Sequence, residues 1–185
     1  MIVTISGTAG SGKSTIAKKI VNKYNYEYIS IGQYRRNRAK ELGMTINEYN
    51  KKGETDYATD READEYLKNL GLTKDNIVID ARLGFYFVPN SYKIFLKVAL
   101  DEGAVRIFAH RREDEGYDSM EKAIASLKER QESDTMRYQK YYKVDWQNPD
   151  NFDLVVDTTG KDVEKVTAEV IDALDKVMNN IKSQP

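Results

Sequence analysis

Short continuous apolar runs, rich in β-branched residues, alternate along the chain with stretches whose apolar positions recur every three or four residues. "MIVTIS", "NIVID", "YKIFLKV" and "FDLVVD" are runs of the first kind, and "YEYIS" at 26–30 is a weaker one. Runs without polar alternation suit strands covered on both faces, as in a parallel sheet between layers of helix. In residues 13–24, Ile16, Ala17, Ile20 and Tyr24 fall on one helical stripe. In "TINEYN", Thr45 and Glu48 three residues later form a capping box that predicts a short helix. Residues 57–70 and 118–141 also read as helices, and the last segment repeats Val163, Val166, Val170, Leu174, Val177 and Ile181 at helical spacing. Strands alternating with helices predict an α/β doubly wound fold of one domain over 1–185. The helices of 33–70 make a long excursion between strands, read as an inserted substrate lobe. The charged "HRREDEGYD" at 110–118 interrupts two helices and reads as a lid.

Composition narrows the setting. With 185 residues the chain can bury a sizeable core without metals or disulfides, and it contains no cysteine. A net charge of -1 with 32% charged residues gives no general reason to bind nucleic acid or an anionic membrane. No apolar run approaches a membrane span, and "MIVTISG" has no basic stretch ahead of its apolar residues. The expectation is a cytoplasmic monomer that handles small molecules.

"GTAGSGKS" at 7–14 fits G-x-x-x-x-G-K-[ST], directly after the first apolar run and at the opening of a helix. Gly7, Gly10 and Gly12 let successive amides face inward, and the helix N-terminus adds partial positive charge. ATP is therefore expected over Gly7, Thr8, Ala9, Gly10, Ser11, Gly12, Lys13, Ser14 and Thr15, in a P-loop NTPase-like sheet. Lys13 can reach the outer phosphates, and the Ser14 hydroxyl can hold Mg²⁺. Asp80 ends the run "NIVID", where it is expected in the metal shell, with capping of the next turn as the alternative.

Phosphoryl transfer gathers negative oxygens, so an acceptor side lined with arginine is expected. Arg36, Arg61, Arg82, Arg130 and Arg137 are the candidates, and Arg106, Arg111 and Arg112 lead into the lid. Arg106 and Arg111 are assigned to the donor phosphates. In "KERQESDTMRY", Arg130, Asp134 and Arg137 stack on one helix face, either as a surface ladder or as a ligand clamp. Arg35 and Arg38 read as solvated, and "DREADE" around Arg61 reads equally well as an exposed salt-bridged face. His110 reads as a lid or surface residue. "RYQKYY" is expected to pack against the sheet, and "DTT" at 157–159 borders the adenine or caps the final helix.

These residues together resemble the short-form cytidylate kinases, within the nucleoside monophosphate kinase family. The resemblance runs from "ISGTAGSGKSTIAKKI" through "ISIGQYRRNRAKELGMTINEY", "VIDARLGFYFVP" and "KIFLKV" to "RYQKYYKVD" and "FDLVVDT". It implies that Gly32 and Arg36 match the family's glycine and phosphate-binding arginine, and that Arg82 matches the arginine after the buried acidic strand. It implies that Arg61 faces the cytosine side, that Arg130 and Asp134 address the ribose, and that Arg137 addresses the acceptor phosphate. Lys13, Arg82 and Arg137 are then the catalytic set. Ala81 stands where the family usually has glycine, and Leu83 where longer members carry a cytosine-reading aspartate. The lid stretch "RIFAHRR" is one residue longer than the usual spacing. The implied reaction is transfer from MgATP to CMP or dCMP. A kinase of another small acceptor and a nucleotide-binding module without turnover are the alternatives.

Overall fold

The computed structural model describes residues 1–109 and 118–183. The segment read as a lid lies outside them except for Asp118, and so do His110, Arg111 and Arg112.

Every apolar run forms a strand, the weak one included. β1 (Ile2–Gly7), β2 (Glu27–Ser30), β3 (Ile77–Asp80), β4 (Tyr92–Lys97) and β5 (Leu154–Asp157) make one parallel sheet in the order β2-β3-β1-β4-β5. β1 therefore lies at the centre, and the loop that follows it opens at the middle of the carboxyl edge, where ligands of such sheets bind. The register pairs Ile5 with Asp80 and Gly7 with Leu96, which brings the end of β3 beside the start of that loop.

Eight helices accompany the strands among the described residues: α1 (Lys13–Tyr24), α2 (Ile31–Glu41), α3 (Ile46–Gly53), α4 (Ala58–Thr73), α5 (Gly84–Phe87), α6 (Leu100–Ala109), α7 (Met120–Tyr142) and α8 (Val163–Lys182). Side chains fix several of their starts. Ser30 accepts from the Gln33 amide, Thr45 and Glu48 close the expected capping box, and Ser119 and Asp162 cap α7 and α8. One sheet face packs Val3, Ile5, Val78, Ile94 and Leu96 against α1 and α8. The other packs Ile77, Ile79 and Phe95 against α4, α5, Tyr138 of α7 and Trp146. Such continuous burial on both faces is why these strands show no polar alternation. Between β2 and β3, Ala39, Ile46 and Tyr49 form a small core of their own. No helix among the described residues is long and apolar enough to cross a membrane.

Three local expectations change. Helix α4 runs on through Gly71 to Thr73, because Gly71 lies against Val88, whose Cγ1 would stand 3.0 Å from a Cβ there. Of "RYQKYY", Tyr138 is buried beneath the sheet and the partly buried Tyr142 packs against the same core, whereas Tyr141 turns away to α3. Tyr141 donates to the Gly53 carbonyl at 2.9 Å and Tyr142 to Asp64, which ties the end of α7 to α3 and α4. "DTT" does not cap α8, since Asp162 does. Instead Asp157 accepts from the Thr159 amide, and the Thr159 hydroxyl accepts from the Ala99 amide at 3.0 Å, closing a turn against the end of β4.

Candidate active site

The phosphate-loop end of the site is built almost entirely by backbone. Gly12 takes a left-handed conformation, φ 85°, at the N-cap of α1, and no side chain caps the first amides of that helix. Those amides and the positive end of the helix dipole stay directed at the loop, which is the arrangement that receives phosphate. Gly10 has a different constraint: a Cβ there would lie 2.4 Å from the Gly103 carbonyl oxygen, so only glycine lets the loop touch α6. The Lys13 ammonium donates to the carbonyls of Gly7 at 2.9 Å and Thr8 at 2.7 Å, folded over the loop it would serve. Burial lowers its pKa to about 8, with Asp80 opposing and Arg82 and Arg130 adding to the shift.

Beside the loop, the Ser14 hydroxyl donates to Asp80 Oδ2 at 2.6 Å, and the Tyr28 hydroxyl donates to the same oxygen at 3.1 Å. This answers the question left by the sequence: Asp80 faces Ser14 instead of capping the following turn. Arg106 bridges the loop to the end of β5. It donates to the Thr158 hydroxyl at 3.0 Å and carbonyl at 2.7 Å, and it reaches the Gly10 carbonyl at 3.4 Å. Among the described residues no group of three or more acidic or histidine side chains could hold a metal alone, so an ion here would share the Ser14–Asp80 pair with phosphate oxygens.

The neighbouring end, where the sequence places its arginines, is built from side chains. Ser6 of β1 donates to the carbonyls of Ala81 at 2.9 Å and Arg82 at 3.0 Å, fixing the turn after β3. Arg82 then lies over the Trp146 ring, 5.6 Å from its centroid, with Nη1 2.9 Å from Asp134 Oδ2 in an ion pair whose angle falls short of a hydrogen bond. Arg137 donates to Asp134 Oδ1 at 2.5 Å through Nη2, and to both Asp60 oxygens at 2.5 and 2.6 Å through Nη1. Asp60 also accepts from Arg35, whose other amine donates to Asn50 at 3.1 Å. Arg35, Asp60, Arg137, Asp134 and Arg82 thus form one chain of alternating charge across α2, α4, α7 and the end of β3.

Arg137 and Asp134 are each only 1% exposed, and Asp60 only 3%. Burial alone would lower the Arg137 pKa, but Tyr138, Asp134 and Asp60 outweigh it and hold the guanidinium charged. Buried ions persist only when paired and hydrogen-bonded, which is what this alternation supplies. Three cations against two anions leave these five residues with one positive charge in surplus. An incoming phosphate suits that surplus.

The predicted residues therefore divide. Lys13, Arg82, Arg130 and Asp134 share one electrostatic neighbourhood, and Arg137 joins it from behind through Asp134. Arg130, Asp134 and Arg137 form no surface ladder, because Asp134 and Arg137 are buried. Arg36 lies midway along α2 and curls back over Gly32, each terminal nitrogen 3.8 Å from where a Cβ on that glycine would stand. Arg61 is not brought in: it is on the solvent side of α4, 4.0 Å from Glu65. Arg111 lies outside the described residues. Arg35 corrects the reading of a solvated side chain, whereas Arg38 is half-exposed and pairs with Glu41 and Glu62.

Arg35, Asp60 and Asp64 were missed by the sequence reading. Asp64, one turn beyond Asp60, accepts from the hydroxyls of Tyr142 and Tyr57. Burial raises its carboxyl to about 6, with Asp60 adding to the rise and the Tyr142 hydrogen bond and Arg35 opposing. The overlooked signal is the stripe Ala63, Leu67 and Leu70, which continues back through positions 60 and 64.

The cytidylate kinase-like family model matches residues 2–160. The chain is 36% identical over 177 residues to the cytidylate kinase of Haloarcula marismortui, covering 95% of this chain and 90% of that one. It is also 36% identical over 175 residues to the S-adenosylmethionine-dependent nucleotide dehydratase of Lacinutrix mariniflava. That match covers 94% of this chain but 36% of the dehydratase, so the chain spans about a third of its length. Among solved structures, shikimate kinase from Acinetobacter baumannii superposes with a TM-score of 0.61 at 12% identity, over 97% of this chain and 93% of that one. That likeness shows the fold: a parallel sheet with flanking helices, as in P-loop kinases.

Proposed function

This chain belongs to the cytidylate kinase-like family, and on that footing we propose that it transfers the γ-phosphoryl group of MgATP to CMP or dCMP, giving CDP or dCDP and ADP. The observation that carries the reading is the meeting of two unlike anion sites. Lys13 of the phosphate loop lies within electrostatic reach of Arg82, Arg130 and Asp134. A module that only senses a nucleotide needs the first site and has no use for the second.

In this reading the amides of residues 7–15 and Lys13 hold the donor, with Arg106 fixing the loop from behind. Ser14 and Asp80 offer hard oxygen donors that suit Mg²⁺, and the ion would supply neutralising charge to the donor phosphates. The helices of 33–70 carry the acceptor. Arg36 and Arg82 hold its phosphate, and Arg130 and Asp134 hold its sugar. Arg137 already commits both terminal nitrogens to Asp60 and Asp134, so a phosphate would meet it through the unpartnered Nε or by displacing a carboxylate of the buried charge chain. Transfer is direct and in line: an acceptor phosphate oxygen bonds to the γ-phosphorus as the bond to the β-phosphate oxygen breaks. Positioning and charge stabilisation supply the acceleration, with turnover on the order of 1 to 100 per second.

A panel of acceptors with MgATP tests this by following ADP release. CMP and dCMP should give the highest kcat/KM, ahead of UMP and AMP. ADP release that no nucleoside monophosphate stimulates would overturn the proposal.

A further inference from the structure

The clamp residues Arg130, Asp134 and Arg137 leave one member of their helix face without a task. Ser133 lies on the same face of α7, three residues after Arg130 and four before Arg137. It is 6% exposed, and its hydroxyl finds no partner among the described residues. A helical serine usually turns to a carbonyl of the preceding turn or to solvent, and this one does neither. It lines a narrow cleft between α3 and α7 whose opposite wall carries Asn47 and Asn50. Asn47 donates through Nδ2 to the Ser126 hydroxyl at 3.1 Å, which leaves its buried Oδ1 without a partner. Two unpartnered polar atoms thus lie in one cleft, beside the face that the proposed function gives to the acceptor. Leaving such atoms unsatisfied costs stability, so their retention calls for a ligand.

We propose that this cleft reads the base of the acceptor, with Asn47 Oδ1 and the Ser133 hydroxyl as its specificity-determining pair. The inference rests on the kinase reading above and adds to it the means of choosing the base. Oδ1 accepts only, so it suits an exocyclic amino group, and the Ser133 hydroxyl can donate to the neighbouring ring nitrogen. Cytosine presents that pair of groups. Uracil sets a carbonyl against Oδ1 and a ring N–H against the hydroxyl, and the mismatch at Oδ1 is repulsive. The position that would otherwise place a carboxylate after Arg82 holds the buried Leu83, so an acceptor group for the amino edge must come from another element. Because the cleft is narrow, entry of a base parts α3 from α7, and the lobe helices then close on it.

The test measures KM and kcat for CMP and UMP at saturating MgATP in Ser133→Ala and Asn47→Ala, with the Tm of each. Each substitution should raise the KM for CMP about tenfold, the loss of one hydrogen bond to a ligand, and move the KM for UMP less, so the preference for CMP falls. The Tm of Ser133→Ala should equal or exceed the parent's, because that variant loses only an unpartnered hydroxyl. Unchanged KM values and preference in both variants overturn the proposal. So does a raised KM that comes with a lowered Tm in Ser133→Ala, which marks a structural role. If the unaltered protein phosphorylates no nucleoside monophosphate, the kinase reading fails, and calorimetric titration with CMP decides the subsite separately. Weaker CMP binding in both variants upholds it, and equal binding, or none by the unaltered protein, overturns it.

Discussion

The two ends of the site are built on opposite principles. The donor end comes from one contiguous stretch, residues 7–15, and its recognition groups are backbone amides held by glycine and a helix terminus. The acceptor end comes from α2, α4, α7 and the end of β3, and its recognition groups are side chains joined across 25 and 77 residues of sequence. An amide cradle carries partial charges and needs no counter-ion. A set of buried guanidiniums does need one, and Asp60 and Asp134 supply it. The phosphate-loop end is therefore set by backbone conformation, and the end proposed for the acceptor by a charge balance among buried side chains.

Removing the Lys13 ammonium tests this division most severely. Lys13→Ala should lower kcat by about 10² to 10³, the usual cost of losing one preorganised charge at a transferring group. It should weaken ATP binding, yet leave CMP binding by calorimetry and the Tm close to those of the parent. Loss of CMP binding in this variant would show that the two ends are one site. On a similar scale, Asp60→Asn should cost about 3 to 5 kcal/mol in urea unfolding, because Arg137 and Arg35 both lose a buried carboxylate. ATP affinity should not change. Full stability in Asp60→Asn would mean that the charge chain holds nothing together.

A pH series sharpens the acceptor half. Asp64 has its carboxyl raised to about 6, chiefly by burial, against the usual 3.8. Between those values the folded state keeps a proton that the unfolded chain has released, so stability is fullest below 4 and declines as pH rises through 6. The decline from this group should be about 2 to 3 kcal/mol. Asp64→Asn cannot titrate and still offers an oxygen to Tyr142, so its stability should be flatter over the same window. A parallel slope in parent and variant would remove Asp64 from the account.

The same division explains what the sequence disclosed. The phosphate loop, the order of strands and helices, and the capping box at Thr45 were all legible, because each depends on residues a few positions apart. Asp80 was legible as a candidate because it ends an apolar run. Asp60, the distant partner of Arg137, was not, since a charged residue on a helix looks solvated until its distant counter-ion is known. Asp60 and Asp64 share the inward stripe of Ala63 and Leu67, while Arg61 and Glu65 beside them face water. "DREADE" thus holds a buried pair of acids and an exposed acid–base pair in a single turn and a half. Composition cannot separate them; periodicity extended through the charged positions can. Arg61 was assigned to the cytosine side by resemblance, and in this structure it lies on the solvent side of α4 beside Glu65.

The smallest effect bears on the donor half alone. Gly12 and Gly10 both have positive φ, but a Cβ on Gly12 meets nothing within 4 Å, whereas one on Gly10 runs into the backbone of Gly103. Gly12→Ala should therefore cost only the left-handed strain of an L-residue, about 1 kcal/mol. The open space at Gly12 lies at the N-terminus of α1, where the donor phosphates would draw against the amides. A methyl group there should raise the KM for ATP severalfold and leave the KM for CMP unchanged, since no acceptor residue approaches it. Steady-state kinetics with each substrate varied in turn, beside a urea titration, separates the two effects. An unaltered KM for ATP would mean that the phosphates avoid the mouth of the loop, and the donor end would then depend on Lys13 more than on its backbone.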